Sequence, residues 1–537
     1  MEEQKKVYSY HTFVFPFIWK THKGRPENEY TILKKVFDDN TMWECTDLKD
    51  AYSLETMEGE INFDDGIFTY KEYQYFFPYV RKAIYGYDDD ICTNYAFKPA
   101  KDGSGEYHII KDDNHYLLNI NGIRLKVVNT GMALFILECE NRGKDADGKA
   151  QDNFKSVKNI NEYGRRISMP FISKDSRIIC ADELYINLKD IEGLSEDFAT
   201  YNDKIVGSED LREISMTHIC DFVKSILSYG SVYRFTSRPT KGKNDIYIYP
   251  ALDDRMSVAY CIKEEGKNEE SEVNTLVRFD PEKGYLYEWN EDASKSIYEL
   301  AYMDPAGECS CQDHRLRDEL NAKAVYRRWL YKTINTITEM GMGMIMYTPP
   351  IPVVENFFLY VQMYYLVLIQ KASIIKFNRE ASSISTNFSG KSKKLTGKSI
   401  RRIMSLQERY AAFTGQLYFA EVSTEQQAVE MYGMFRQCYA IECENVALNE
   451  NLTRLYEVTS TEQSSKVNEI ATIFTVFSII LAVAALVYDI FYASDVVMVD
   501  SGGLSISQDI SVWKFIIICA IISVASFVIT KIANRRR

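Results

Sequence analysis

The stretch NEIATIFTVFSIILAVAALVYD, residues 468–489, decides how the rest of the chain is read. Nineteen of its residues, 470–488, carry no charge. At about 1.5 Å of rise each, a helix of that length nearly crosses the ~30 Å hydrocarbon layer of a bilayer. Stepping along it by three and four residues collects Asn468, Ala471, Thr475, Ser478, Ala482, Ala485 and Asp489, while Ile473, Phe474, Phe477, Ile480, Leu481 and Val487 fall between them. Helical periodicity therefore gathers the small and polar side chains on one stripe. Such a stripe suits the wall of a water-filled pore or the close packing of neighbouring helices. The polar ends, Asn468 and Asp489, point to the pore, because polar groups at membrane depth face water or protein. One hairpin cannot enclose a channel, so a pore requires several copies of the chain around a shared axis.

A second apolar run, residues 515–530, reaches membrane length once Trp513 and Lys514 serve as interfacial anchors. The expected spans are about 470–490 and 511–530, a transmembrane hairpin. Lys531, Arg535, Arg536 and Arg537 follow directly. The positive-inside rule keeps that tail in the cytosol, and two spans then put the amino-terminal body there too. The expectation is a multi-pass protein of the plasma (inner) membrane with both termini cytosolic and residues 490–512 facing outward. The opening Met1 to Lys6 is charged and carries no apolar signal core.

The 537 residues leave room for two or three domains. A net charge of −13 excludes a general nucleic-acid binder, whose phosphate contacts need basic surface. Eleven scattered cysteines in a cytosolic body read as free thiols. Cys309, Cys311 and His314 lie within six residues, an incomplete set for a four-ligand zinc site.

The fold class expected is a mixed α/β cytosolic body over residues 1–312, a helical region over 313–422, a long stalk helix over 423–469 and the membrane hairpin over 470–537. In the body, residues 8–19 form an apolar run interrupted by Pro16, and Asn121-Gly122 sits between two apolar stretches, a hairpin signal. Strands are expected at 133–137, 231–235, 245–249, 256–262, 273–279 and 285–289, and a helix at 215–229 ending at Gly230. Residues 313–346 read as helix. Residues 353–383 contain fifteen uncharged residues, 356–370, including Gln362; this is too short for a span and reads as a helix buried by protein. Ser423 and Gln426 form a capping box opening an uninterrupted rod from 424 to 488. Along that rod Met431, Met434, Cys438, Ile441, Asn445, Leu448, Leu452 and Leu455 keep a coiled-coil rhythm suited to self-association, or to packing on a helix of the same chain.

Asp489, Asp495, Asp500 and Asp509 populate the outer loop, with no Lys or Arg before Lys514. Repeated around an axis they make a negative mouth for cations, and oxygen ligands suit a hard ion such as Mg²⁺. A basic cluster, Lys391, Lys393, Lys394, Lys398, Arg401 and Arg402, lacks the spacing of a phosphate-binding loop and reads as a solvated or lipid-facing segment. Arg165 and Arg166, beside Gly164, are the candidate ligand-binding residues, since two guanidinium forks grip phosphate bidentately. No catalytic residues are proposed: the chain carries no nucleophile motif, no HExxH and no GxGxxG.

The carboxy-terminal spans, the helix entering them and the stretch KVNEIATIF, residues 466–474, resemble the CorA superfamily of divalent-cation channels. That resemblance implies a homopentamer, the first span lining the pore, and Asn468 at the cytosolic entrance. The family's Gly-Met-Asn signature is replaced here by YDIFYASD, residues 488–495, so the residues name no ion. The large amino-terminal body, opening on HTFVFPF at residues 11–17, resembles the CorA-like membrane effectors of type III CRISPR systems. This resemblance implies antiviral defence, with a nucleotide messenger, an S-adenosylmethionine–AMP conjugate or an oligoadenylate, sensed by the cytosolic body. The partners expected are other copies of the chain, the lipid bilayer and that small ligand, not nucleic acid. A constitutive Mg²⁺ transporter and a non-conducting membrane scaffold are the alternative readings.

Overall fold

The computed structural model describes residues 7–21, 29–47, 75–86, 91–167, 180–197, 219–264, 276–347, 351–386 and 397–497, apart from short gaps inside these ranges. The second expected span, Asp500, Asp509 and the lysines at 391–394 lie outside the described residues.

The strands, in order, are β1 (Ser9–Thr21), β2 (Trp43–Cys45), β3 (Cys92–Phe97), β4 (Gly105–Lys111), β5 (Asn114–Val128), β6 (Met132–Asn141), β7 (Glu183–Asn187), β8 (Ser195–Asp197), β9 (Arg234–Thr236), β10 (Asp245–Pro250), β11 (Ser257–Glu264), β12 (Val277–Asp280), β13 (Gly284–Tyr287), β14 (Val325–Tyr326), β15 (Thr333–Thr338) and β16 (Gly341–Tyr347). The helices are α1 (Glu29–Asp38), α2 (Pro78–Tyr85), α3 (Phe154–Gly164), α4 (Asp221–Ser228), α5 (Glu291–Tyr302), α6 (His314–Ala324), α7 (Ile351–Ser385), α8 (Gly397–Gln416), α9 (Gln426–Cys438) and α10 (Ile441–Val497). All the strands but the β12–β13 pair join one fourteen-stranded sheet.

Its trunk is three long antiparallel strands, β1, β6 and β5. On its other edge β1 pairs with β11 from Ser9 to Val14 and with β10 from Phe17 to Thr21. Pro16 falls in the gap between those partners, where its missing N–H breaks no ladder, while its carbonyl accepts from Ala251 N at 2.9 Å. The proline marks a fork rather than a strand end. The same happens on β5, which pairs with β4 up to Ile120 and with β3 from Arg124. Asn121-Gly122, expected as a hairpin turn, is instead a β-bulge at this second fork, where the register against β6 shifts between Ile120 and Gly122.

The segment expected as helix over 313–346 is helical only in α6. The β-branched run Thr333-Ile334-Asn335-Thr336-Ile337-Thr338 pairs antiparallel with β16, and β16 pairs parallel with β11. Residues on both sides of position 312 thus belong to one sheet. The chain divides into two compact units, one of residues 1–384 with 405–450 and one of residues 385–404 with 451–537.

In the first unit, one face of the trunk carries Phe13, Phe15, Phe17, Trp19, Leu125, Phe135 and Leu137 into a core closed by Leu33 and Phe37 of α1, Val157 and Ile160 of α3, Phe222 and Ile226 of α4 and Ile297 of α5. The opposite face is covered by α7. Phe358 meets the Tyr10 ring edge-on at 5.8 Å, and Ser373 Oγ lies 2.8 Å from Thr130 Oγ1. Among the described residues, 356–385 within α7 is the one segment long and apolar enough to cross a membrane, yet 78% of its most apolar window is buried inside the protein. It is also wrapped on its outer side. The Tyr364 and Phe435 rings stand 5.6 Å apart, and Gln370 Nε2 donates to Tyr432 Oη of α9 and to the Leu417 carbonyl.

The continuous rod expected from 424 to 488 is two helices. Tyr439 and Ala440 separate α9 from α10, with Ala440 in the left-handed region at φ +49°. Ser423 is not a cap: it donates to the Tyr75 carbonyl at 2.5 Å, and α9 begins after Glu425. Within the first unit the expected seam is filled from the same chain. Met431, Ile441 and Leu448 are fully buried, and Asn445 accepts from Tyr410 Oη of α8 at 3.0 Å.

Candidate functional site

Three places bear on function, two of them expected from the sequence, and they differ in what the folded chain leaves available. The first is α10 in the second unit. Its apolar part, Ala471–Ala485, is helical and shorter than a full bilayer crossing. Large apolar side chains stand exposed along it, Phe474 at 69%, Ile479 at 58% and Leu481 at 62%. The stripe residues Asn468, Ala471, Thr475, Ser478, Ala482 and Ala485 are exposed as well. Their hydroxyls are satisfied inside the helix: Thr475 Oγ1 donates to the Ala471 carbonyl at 2.8 Å and Ser478 Oγ to the Phe474 carbonyl at 2.9 Å. Thr472 does the same to the Asn468 carbonyl. Back-bonding to the fourth carbonyl lets a hydroxyl enter an apolar medium without an unpaired polar atom. The helix runs on through Asp489 to Val497. Asp495 is therefore on the helix and not in a loop.

The second place is the arginine pair. Glu162 lies three and four residues before Arg165 and Arg166 on α3 and its end. Its two carboxylate oxygens take one fork each: Arg165 Nε donates to Oε2 at 2.7 Å and Arg166 Nε to Oε1 at 2.7 Å. Both arginines are buried. Desolvation holds the Arg165 guanidinium below its ordinary pKa even with that carboxylate beside it. The pair expected to grip a phosphate is thus engaged in an internal ion triad, and its donors face Glu162. Cys309 and Cys311 are likewise turned inward, their thiols toward the carbonyls of Cys311 and Asp313. Among the described residues no three His, Cys, Asp or Glu side chains gather to hold a metal ion.

The third place has no counterpart among the sequence expectations. A small solvent-connected cleft, with a cavity volume of about 40 Å³, lies where the α7-covered face of β3, β5 and β6 meets α2 and α7. Arg124, Lys126 and Glu138 line it from the strands, Asn94 and Thr46 from its end, and Gln362 and Tyr365 from the helix. Lys126 Nζ donates to the carbonyls of Ala83 and Ile84, at 3.3 and 2.7 Å, and so caps the carboxy-terminal end of α2. Arg124 Nε donates to Glu138 Oε2 at 2.8 Å. Burial raises the Asp47 carboxyl to about 6, although Asn94 donates to its Oδ1 through both N and Nδ2. The Tyr365 hydroxyl is buried with no hydrogen-bond partner among the described residues. With Arg124 held by Glu138 and Lys126 by the α2 carbonyls, the buried Tyr365 hydroxyl is the polar group the cleft leaves to a guest of about the size of water. The signal that marks it in the sequence is the alternation Arg124, Lys126 in the second half of β5, residues 123–128, whose other residues are apolar, placing charge on a covered face.

No family model and no curated protein matches the chain. Among solved structures, the complete CorA magnesium transporter of Methanocaldococcus jannaschii is similar over 52% of this chain and 91% of its own, at 10% identity and a TM-score of 0.19.

Proposed function

We propose that the chain is one subunit of an oligomeric, CorA-like membrane channel, with α10 as the span that lines the pore. The observation that carries this reading is the exposed apolar surface of α10 between Ala471 and Ala485, on a chain that elsewhere buries even the more extensive apolar face of α7. Exposed side chains of this size in one continuous segment call for lipid or other copies of the chain as cover. The small stripe supports copies meeting along Ala471, Thr475, Ser478, Ala482 and Ala485, probed by water on one side and lipid on the other. The second span is residues 511–530, both termini are cytosolic, and the membrane is the plasma membrane.

The finer reading is a ligand-gated effector of antiviral defence. A nucleotide messenger binds the amino-terminal body at a place other than Arg165 and Arg166, which Glu162 takes. Its differential affinity for the open state shifts the assembly; a tenfold shift takes ~1.4 kcal/mol. A pentamer and Mg²⁺ among the permeant ions are part of this reading. No catalytic step is assigned.

The test is ion flux from liposomes holding the purified full chain, with and without S-adenosylmethionine–AMP or oligoadenylates. Flux that appears only with a nucleotide supports the reading. Flux without any ligand replaces it by constitutive transport. No flux under either condition replaces it by a membrane-anchored scaffold.

A further inference from the structure

One face of β4, β5 and β7 brings together three side chains that neither the cleft nor the α10 stripe uses. In the β4–β7 ladder His108 stands directly opposite Tyr185. In the β4–β5 ladder its direct partner is Leu117, so His115, two residues before Leu117, is its diagonal neighbour on the same face. His108 Nδ1 and His115 Nε2 are 2.9 Å apart, and Tyr185 Oη is 3.3 Å from the same His115 nitrogen. The Tyr185 ring stacks on the His108 imidazole at 4.2 Å and 11°, fixing its plane.

Behind this trio stands an orienting carboxylate. Glu106 Oε2 lies 3.1 Å from His108 Nε2, and Asn187 Nδ2 donates to the same oxygen at 3.3 Å. The carboxylate takes the Nε2 proton, which leaves the Nδ1 lone pair facing His115. A histidine that donates one nitrogen to a carboxylate and presents the other is the arrangement by which proteins hold imidazole toward a metal ion.

We propose that His108 Nδ1, His115 Nε2 and Tyr185 Oη form the protein side of a binding site for one borderline transition-metal ion of the Zn²⁺ or Cu²⁺ class. Ligands at about 2.0–2.1 Å from a tetrahedral ion stand roughly 3.3 Å from one another. The His108–His115 separation of 2.9 Å needs to open by a few tenths of an ångström and the His115–Tyr185 separation of 3.3 Å already matches, while Tyr185, stacked on His108, turns its hydroxyl toward the His108 ring plane to complete the set. In the free protein the His115 Nε2–H bridges the two imidazoles; on binding, that proton leaves to solvent and another is taken up at His115 Nδ1, so the imidazole stays neutral with its Nε2 lone pair on the ion, the Tyr185 hydroxyl gives its proton to solvent, and water fills the remaining position. Imidazole donors select Zn²⁺, Cu²⁺ and Ni²⁺ over Mg²⁺ and Ca²⁺, which take oxygen ligands. The site is thus distinct in ion class from a pore for a hard cation. Burial keeps His108 easier to deprotonate than a free imidazole, in keeping with the neutral form a metal requires. His115 and Tyr185 are half-buried, so an ion reaches them from solvent.

The experiment is equilibrium dialysis of the full chain in detergent against Zn²⁺ or Cu²⁺ alone, followed by Cu²⁺ electron paramagnetic resonance. The expected result is one ion per chain, with nitrogen splitting from two imidazoles. His115→Gln, at a partly exposed position, should weaken binding at least tenfold, and Glu106→Gln, which only orients His108, about tenfold. Thermal melting of each variant without metal checks that the fold is kept. Less than one ion bound per chain, or unchanged affinity in His115→Gln, overturns the proposal. Neither result bears on liposome flux, so this inference and the channel reading fail separately.

Discussion

Arg165 and Arg166 share one carboxylate, and that sharing has a cost attached to it. Glu162 is the buried anion that balances two buried guanidinium groups, with 2.7 Å contacts to each Nε. Breaking a buried ion pair from one side leaves charge without compensation and costs about 3–5 kcal/mol. Glu162→Gln is therefore expected to lower the unfolding free energy by that much, read from urea denaturation, and a change under about 1 kcal/mol would show that the triad holds little. The pairing was legible in the residues, since Glu162 precedes the arginines by the three and four positions that share a helix face. What no spacing could show was that Gly164 and its neighbours lie under the sheet, where no solvent or ligand competes. His11 makes a second case. It is fully buried between Ser9 Oγ and Asn161 Oδ1, and desolvation lowers its pKa to about 4. Between pH 6.5 and 4 the unfolded chain binds a proton that the folded one refuses. Stability is then complete above pH 6.5 and falls as pH drops through that window, by about 2 kcal/mol at pH 5. Chemical denaturation at pH 7 and pH 5 should show a smaller difference in His11→Gln than in the unaltered protein.

At the scale of elements, the clearest departure from expectation is the break between α9 and α10. Gly433 looks like the weak point of the rod, yet it sits inside α9, and the chain turns at Ala440, a good helix former. The cause is tertiary. Tyr439 Oη donates to the Glu339 carbonyl at 2.9 Å and lies 3.1 Å from Tyr364 Oη, while Ile441 is buried two residues on. Those anchors force a left-handed residue between them, which costs an L-amino acid about 1–2 kcal/mol. Ala440→Gly should therefore stabilise the fold by roughly 1 kcal/mol, read as a raised melting temperature; a loss of stability would place the strain elsewhere. The helical expectation for residues 313–346 failed for a related reason: the β-branched Thr333, Ile334, Thr336, Ile337 and Thr338 favour a strand, and pairing with β16 outweighs the helix formers before them. By contrast, α7 was recognisable as a protein-buried helix from Gln362 and its length. For α10, Leu481→Lys sets a charge in the middle of the apolar segment, at a cost of about 3 kcal/mol per chain in a membrane. Alkaline extraction of membranes should then release the variant while the unaltered chain stays; equal retention would argue against insertion of this segment.

For the whole molecule, the prediction concerns how copies meet. If the stripe lines a common axis, cysteine placed at Ala482 faces its equivalents in other copies, and cysteine at Leu481 does not. Oxidation in lipid should link Ala482→Cys subunits and leave Leu481→Cys subunits single; the reverse pattern would turn the helix around. The class of the amino-terminal body, mixed α/β, was readable from strand signals, as was the buried core position of Ile219, Phe222, Val223, Ile226 and Leu227. The cleft was not, because its lining comes from β3, β5, β6, α2 and α7, segments up to about 300 positions apart that no local pattern connects. The arrangement of strands escaped for another reason: Pro16 and Asn121-Gly122 carry the signals of chain reversal, and the chain goes straight on through both.

That straightness has a consequence. Because β1 lends one half of its edge to β11 and the other half to β10, and β5 divides itself likewise between β4 and β3, four separate regions of the polypeptide are stitched to the same two threads. None of the four can be trimmed away as a free-standing module, and none can loosen without fraying a seam on which its opposite number also hangs.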